Sequence, residues 1–334
     1  MNKKVTIDGK IIGEKHSPYI IAEIGLNHNN DIDLTKNSIL AAKKSGASAV
    51  KFQTYITEKL LNVDSPAFQL FKNLELSKEQ FKIISDYCKD IEITFFSTPF
   101  CFESVDLLQE LDVPCFKIAS MDLNYYDLIH YIAKTGKPII LSTGMGTISE
   151  IDKAVSVIRK TGNEDIIILH CISKYPPLYS EMNMQMITKL ISMYPDYPIG
   201  FSDHSKDSTM TLVARVLGAS VFEKHFTLNK NLPGPDHQIS CEPDDFIELK
   251  EKLQNVDESL NPSTKDRLDA GIAIHARRSL YASKDLKKGQ KLNKDDIAIV
   301  RPGGGVAPEY LPLFLERELI KDVKKCEKID LSCF

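Results

Sequence analysis

Glu223 and His225 stand two residues apart in the apolar run 220–228, so in a strand they point to the same face. A stiff Pro233-Gly234-Pro235-Asp236 turn follows. His204 shares a face with Ser202 in the preceding run, 197–205. A lone histidine is more often a core or surface residue than a ligand. Two at the ends of neighbouring strands, which lie about 4.8 Å apart, can reach one ion. Such a pair suits a divalent metal with positions left open. Lys51 and Lys117 also sit inside apolar runs. A buried charge costs several kcal/mol unless it is paired, so two inward lysines burden a core and serve an anion. Hydroxyls at Thr98, Ser120, Ser142 and Ser202 could complete a phosphate site. Backbone N–H groups where helices start after 97–100 and 142–146 would add donors. Polar strand ends that merely meet loops account for any single run, but not for Lys51, Lys117 and Glu223.

Eight short apolar runs would have to carry these groups: 19–27, 48–55, 93–100, 115–122, 138–144, 165–176, 197–205 and 220–228. Helix-like stretches lie between them. The segment 34–46 puts Leu34, Ser38, Ile39, Ala41 and Ala42 near one face and ends on Gly46. The segment 149–162 opens on Ser149 as a candidate N-cap and ends on Gly162. Eight strand–helix units at near-regular spacing predict a (β/α)8 TIM barrel of the α/β class, whose chemistry gathers at the C-terminal ends of the strands. A doubly wound sheet is the second choice. A hairpin turning on Asp8-Gly9 precedes the barrel and is expected to cap its lower end. The long connection 55–76 is expected at the substrate rim. The barrel with its hairpin is placed at 1–260, its last helix at about 243–259. A polar linker follows at 261–275, then a small, mainly β domain at 276–334.

Bulk properties exclude several classes. The chain has 334 residues, 43% apolar and 26% charged, with a net charge of -4. That is globular and without the basic tract of a nucleic-acid or membrane-surface partner. No apolar run approaches the roughly 20 residues of a membrane span. The start turns polar at once, which predicts a cytoplasmic protein. Seven scattered cysteines without a C-x-x-C fit reduced, packing thiols. Cys101, beside a candidate site residue, is the one thiol worth following. There is no G-x-S-x-G, no P-loop and no G-x-G-x-x-G.

The segments "IAEIGLNHNN", "VKFQTY", "STPF", "FKIAS", "ILSTGM", "SDHS", "EKHFTL" and "PGPDH" together resemble the sialic acid (nonulosonic acid) synthase family. The tail "SKDLKKGQKL" with "VRPGGG" resembles that family's C-terminal antifreeze-like (SAF) domain. Each piece is weak by itself, whereas their order over residues 18–334 is specific. The resemblance implies condensation of phosphoenolpyruvate with an open-chain N-acetylmannosamine-type sugar. It also implies a divalent metal, usually manganese, with magnesium or cobalt as substitutes. His204 and His225 would hold the metal and serve catalysis with Glu23, the implied acid/base. Lys51, Thr98, Lys117, Ser120, Ser142 and Ser202 would hold phosphoenolpyruvate. Gln53, Tyr175 and Asp236 would contact the sugar. Arg301 would reach its acyl group from the partner subunit of a domain-swapped homodimer.

Two positions depart from the family pattern. Asp122 stands where glutamate is usual, and Ser173 where neuraminic acid synthases typically carry asparagine. With the Pro-Gly-Pro-Asp turn, Ser173 leans the reading toward the legionaminic branch, which uses 2,4-diacetamido-2,4,6-trideoxymannose. The neuraminic and pseudaminic branches rank behind it. A phosphoenolpyruvate-dependent sugar-phosphate synthase would need a second anion site, and no spare basic cluster offers one. A non-catalytic glycan- or ice-binding module would not require lysines and histidines in a barrel.

Overall fold

The eight apolar runs close on themselves. The computed structural model describes residues 4–260 and 270–334, and the chain divides into two compact units, Met1–Asn261 and Pro262–Phe334. Strands β1 (Val5–Ile7) and β2 (Lys10–Ile12) form the antiparallel hairpin, with Asp8 and Gly9 both at positive φ. The barrel strands are β3 (Tyr19–Gly25), β4 (Ala49–Thr54), β5 (Thr94–Pro99), β6 (Phe116–Ile118), β7 (Ile139–Ser142), β8 (Ile166–Cys171), β9 (Ile199–Asp203) and β10 (Val221–His225). They pair in parallel in the closed order β10-β3-β4-β5-β6-β7-β8-β9. Parallel strands covered on both faces need near-continuous apolar runs. Accordingly every residue of β3, β5 and β8 is buried.

The helices between them carry their own start signals. They are α1 (Ile32–Lys44), α2 (Thr57–Leu60), α3 (Phe68–Leu74), α4 (Lys78–Asp90), α5 (Phe102–Glu110), α6 (Tyr126–Ala133), α7 (Ile148–Arg159), α8 (Gln185–Met193), α9 (Thr209–Val216) and α10 (Pro243–Leu260). Asp31 caps α1, and a Ser77–Gln80 capping box opens α4. Helix α7 is capped two residues before the expected Ser149. Thr147 accepts the Glu150 N–H, and the Glu150 carboxylate accepts the Thr147 N–H. This reciprocal box outcompetes Ser149, which lies inside the first turn. The hairpin does pack at the N-terminal ends of the strands. Thr94, which starts β5, donates to Asp8 Oδ2 at 2.7 Å, and Lys10 Nζ donates to the Ser48 carbonyl just before β4. Val5, Ile7 and Ile12 are fully buried there.

The strands are shorter than the runs that announce them. Residues 120–122 leave β6 as a 3-10 turn, and 172–176 leave β8 before any helix forms. In the second unit, residues 270–276 form α11 (Ala270–Ala276), while 261–269 of the expected linker lie outside the described residues. Strands β11 (Ser279–Ala282) and β12 (Ile297–Val300) pair antiparallel, joined by isolated bridges such as Leu286↔Val323. Regular strand is sparser than the texture of 276–334 predicts. Pro302, Pro308 and Pro312 lack the N–H a ladder needs, and much of the unit is turns. Its separate core gathers Leu280, Leu286, Leu292, Leu319, Val323 and Ile329. Among the described residues no helix is long and apolar enough to cross a membrane.

Candidate active site at the barrel mouth

A cavity of about 430 Å³ opens at the C-terminal ends of the strands. Glu23 from β3, Lys51 and Gln53 from β4, and Thr98 from β5 line one half. Lys117 from β6, Ser142 from β7, Ser202 from β9 and the two imidazoles line the other. Ser120, Ser173 and Tyr175 enter from the segments beyond β6 and β8. Twelve of the fifteen residues expected at the site thus share one cavity. Asp122 and Asp236 do not line it, and Arg301 belongs to the second unit.

The charged floor is a buried chain of alternating sign. Glu23 Oε2 lies 2.8 Å from Lys51 Nζ, which lies 3.8 Å from Glu223 Oε2. Glu223 Oε1 in turn lies 3.3 Å from Lys117 Nζ and accepts from Ser202 Oγ at 3.0 Å. Lys51 also donates to Thr98 Oγ1 at 3.1 Å. Burial penalises each charge, yet Lys117 and Lys51 hold the Glu223 carboxyl down at about 2. Glu223 and Glu23 likewise outweigh burial at Lys51, whose pKa is raised. At Lys117 burial wins and lowers the pKa. At Glu23 burial also wins and, with Glu223 nearby, raises the pKa against Lys51. The parity of β10 places Glu223 beside His225, but pairing across the barrel is not written in any run. Its place as counter-ion to both lysines therefore emerges only from closure.

Gly25 is needed to aim Glu23. It takes φ +53 at an irregularity in the β3–β4 register, and a Cβ there would sit 3.1 Å from Glu23 Oε1. Gln53 Nε2 donates to that same oxygen at 3.3 Å.

His204 and His225 end adjacent strands, their ring centroids 5.6 Å apart. Nδ1 of His204 is 2.8 Å from the Ile172 carbonyl, which makes it the donor, so in the neutral ring the lone pair is on Nε2; against burial, Cys171 and that carbonyl raise the His204 pKa. Nδ1 of His225 is buried without a hydrogen-bond partner, 3.9 Å from Asp236 Oδ2. Burial lowers the His225 pKa to about 4. The Tyr175 ring lies against His204, with centroids 4.1 Å apart and the planes tilted by 34°.

Asp236 is held at the rim by its own turn. Asn29 Nδ2 donates to the Pro233 carbonyl, and Ser240 Oγ donates to the Asp236 carbonyl at 2.6 Å. A Cβ on Gly234 would come within 2.7 Å of the fully buried His237 ring, so the turn closes only on glycine. Arg301 is exposed in the second unit, directly after β12. The thiol that lines the cavity is Cys171, 3.9 Å from His204 Nδ1. Cys101 instead packs against Ser104 Oγ, as an ordinary packing thiol does. The rim adds an apolar wall that sequence reasoning did not resolve to residues: Leu60, Leu61 and Phe71 from the 55–76 connection, with Phe100.

Asp122 sits in the 3-10 turn after β6 with Oδ2 buried and unpartnered. Burial raises its pKa from 3.8 to about 6. A folded-state pKa above the unfolded one means the folded protein holds the proton more tightly. The associated stability is full below pH 3.8 and is lost as pH rises through about 6. A proton held that much more tightly is worth about 3 kcal/mol. Asp122→Asn should therefore flatten the difference in urea-unfolding free energy between pH 4.5 and pH 8. An unchanged pH dependence in the variant would show that this carboxyl is not the cause.

Known proteins match this chain along most of its length. Residues 38–265 match the NeuB family and residues 277–329 the SAF domain. A protein of Methanocaldococcus jannaschii, MJ1065, is 44% identical over 96% of this chain and 95% of its own. The N,N'-diacetyllegionaminic acid synthase of Legionella pneumophila is 35% identical, covering 90% of this chain and 89% of its own. The crystal structure of an N-acetylneuraminic acid (sialic acid) synthetase from Leptospira borgpetersenii superposes with a TM-score of 0.77 at 34% identity. It covers 81% of this chain and 95% of its own.

Proposed function

Because the chain belongs to the NeuB family and carries a SAF domain at its C-terminal end, we propose that its barrel condenses phosphoenolpyruvate with an open-chain N-acetylated mannosamine-type sugar. One arrangement carries the reading: two buried ammonium groups and the hydroxyls of Thr98, Ser120, Ser142 and Ser202 face the same cavity as two paired imidazoles. The cations and hydroxyls suit an acid bearing both phosphate and carboxylate. The histidine side suits a polarised aldehyde.

In the proposed reaction the enol carbon attacks the sugar aldehyde and a carbon–carbon bond forms. Carbon 2 becomes cationic, water adds there, and the tetrahedral intermediate loses phosphate by C–O cleavage. The product is a nine-carbon 2-keto acid. Lys51 and Lys117 hold the anionic groups throughout, and Ser202 shares Glu223 with Lys117. Glu23 takes one proton from the incoming water and returns it to the sugar oxygen, and the second water proton leaves the carbon 2 hydroxyl with the departing phosphate as the ketone forms, so no net proton is needed. Holding two substrates in register is worth about 7–11 kcal/mol at best.

His204 and His225 fit a divalent ion, the metal this reading calls for. Their rings are close, the Nδ1 bond of His204 to the Ile172 carbonyl leaves Nε2 as the ligating nitrogen, and His225 Nδ1 is an orphaned buried nitrogen. Among the described residues no group of three or more His, Cys, Asp or Glu side chains could hold an ion. The pair would therefore supply two ligands and leave the rest to water and substrate. When bound, such a metal supplies Lewis-acid polarisation of the aldehyde oxygen. Incubation with phosphoenolpyruvate and a mannosamine-type sugar should release phosphate. Chelation should stop that release, manganese should restore it, and His204→Ala and His225→Ala should abolish it. No phosphate with any such sugar would reject the reaction, and retained turnover in both variants would reject the metal role.

The preferred sugar is 2,4-diacetamido-2,4,6-trideoxymannose, giving a legionaminic-type acid. Besides Ser173, two features support it. Lys51 and Lys117 are the only lysines or arginines among the described cavity-lining residues, and both belong to the floor, so a second phosphate has no cation. The wall of Leu60, Leu61 and Phe71 suits a methyl group better than a hydroxymethyl. Side-by-side kinetics with N-acetylmannosamine decide this point, and a preference for N-acetylmannosamine would overturn it. Arg301 is proposed to complete the sugar site from a second copy in a domain-swapped homodimer. Inactive Arg301→Ala and His225→Ala proteins, co-refolded, should then regain phosphate release, because each mixed dimer holds one intact site. No recovery in mixed dimers would place Arg301 elsewhere.

A further inference from the structure

Behind the two histidines, on the helix-facing side of the barrel, lies a second buried polar cluster. Asp203 precedes His204, and Lys224 precedes His225. By strand parity both point away from the cavity their neighbours line. Lys224 instead borders a hollow shared with Ser208 and Thr209 at the start of α9 and with Asp245 and Leu249 of α10. Asp203 and Lys224 are register partners across β9 and β10. Lys224 Nζ donates to Asp203 Oδ2 at 3.0 Å and to the Ser205 carbonyl at 2.9 Å. It thus grips the residues on both sides of His204 while being the chain neighbour of His225. Asp203 is saturated in turn. Its Oδ1 accepts the Ser205 N–H at 2.8 Å, and its Oδ2 also accepts from Thr211 Oγ1 of α9 at 2.7 Å. All four residues are buried.

A core joint between two strands needs no such cluster, since apolar residues of like volume do as well or better. What the ion pair adds is direction. One ammonium group ties the backbone carrying His204 to the backbone carrying His225, fixing stagger and spacing where each strand leaves the sheet. We propose that Lys224, through Asp203 and Ser205, is a positioning residue that sets the distance between the two imidazoles and hence the affinity of the pair for a divalent metal. This rests on the metal role proposed above.

The test is manganese binding followed by electron paramagnetic resonance, which needs no turnover. Lys224→Met leaves Asp203 buried without its cation and could fold poorly. The Asp203→Asn/Lys224→Met double variant therefore accompanies it, keeping an oxygen for the Ser205 N–H, placing an amide N–H where the Thr211 hydroxyl can accept it, and removing both charges. The folded double variant should bind manganese about 10–100-fold more weakly than wild type, as when other outer partners of metal ligands are removed. Lys230→Met, which breaks the outlying Lys230–Asp245 pair, should leave binding unchanged. A double variant that melts at lower temperature yet binds manganese as wild type does would reduce the cluster to structural glue and overturn the inference alone. A wild-type protein that binds no manganese would overturn the inference together with the metal role.

Discussion

Lys51→Met should lower the rate of phosphate release at least about 10²–10³-fold, the usual loss when one preorganised charge is removed from a transition-state site. The loss should appear in KM for phosphoenolpyruvate as well as in kcat, because Lys51 is proposed to hold the substrate anion before and during reaction. The geometry makes this residue hard to replace. Its ammonium lies between Glu23 Oε2 at 2.8 Å and Glu223 Oε2 at 3.8 Å, with Thr98 Oγ1 at 3.1 Å. Without it two buried carboxyl groups face each other across the vacated space, and Glu23, whose pKa is already raised, should take up a proton. Breaking a buried pair this way costs about 3–5 kcal/mol, partly relieved by that proton. Lys51→Arg should recover stability better than activity, since a planar guanidinium cannot repeat the compact contacts of an ammonium. Lys59→Met, which breaks the exposed Lys59–Glu103 pair, should leave both activity and stability close to wild type, because solvent screens an exposed pair. A Lys51→Met protein with wild-type affinity for phosphoenolpyruvate would remove the anion-holding role from this lysine.

What could be read in advance follows the range of the physics. Barrel closure was legible because periodicity is local: eight β-rich runs separated by amphipathic segments, with parity placing Lys51, Glu223 and His225 on inward faces. Helix starts were legible only in part. Ser149 and Thr147 both satisfy a capping pattern, and the choice depends on which hydroxyl meets the Glu150 N–H. Pairing was not legible. Nothing in the run 220–228 says that Glu223 will lie between lysines from β4 and β6, or that Lys224 will reach Asp203 and Ser205. Those contacts join residues 19 to 172 positions apart in the chain and exist only once the sheet has closed. Asp122 was legible as a departure from a pattern, but its orphaned oxygen was not, because burial of a loop carboxyl depends on how the turn after β6 folds back. The partner-subunit role of Arg301 rests on resemblance and awaits the mixing experiment.

Glu23→Gln should separate binding from proton transfer. Glutamine keeps one carbonyl oxygen that can accept from Lys51, and its amide then faces Gln53, whose own amide can turn to present an oxygen. The lysines and hydroxyls that hold phosphoenolpyruvate therefore stay in place, and its KM should change little. The rate constant kcat should fall about 10²–10⁴-fold, the range for loss of a positioned acid/base. The pH profile carries the sharper signature. Burial foremost, then the like charge of Glu223, raises the Glu23 pKa despite Lys51 and Lys117. A base must begin ionised, so wild-type turnover should climb as pH rises through that raised pKa, giving an acid limb above the usual carboxylate range. In Glu23→Gln that limb should vanish together with the rate, leaving whatever ionisations belong to substrate or metal. Glu223→Gln offers the contrast. Glu223 is held ionised down to about 2 by Lys117 and Lys51, so it does not titrate in the working range, and its loss should alter KM by releasing the lysines and move the acid limb to lower pH, since the like charge that helps raise the Glu23 pKa is gone, without abolishing that limb. Should the limb persist in Glu23→Gln with turnover within about tenfold of wild type, the proton is carried by another group, and Glu23 serves only to seat Lys51.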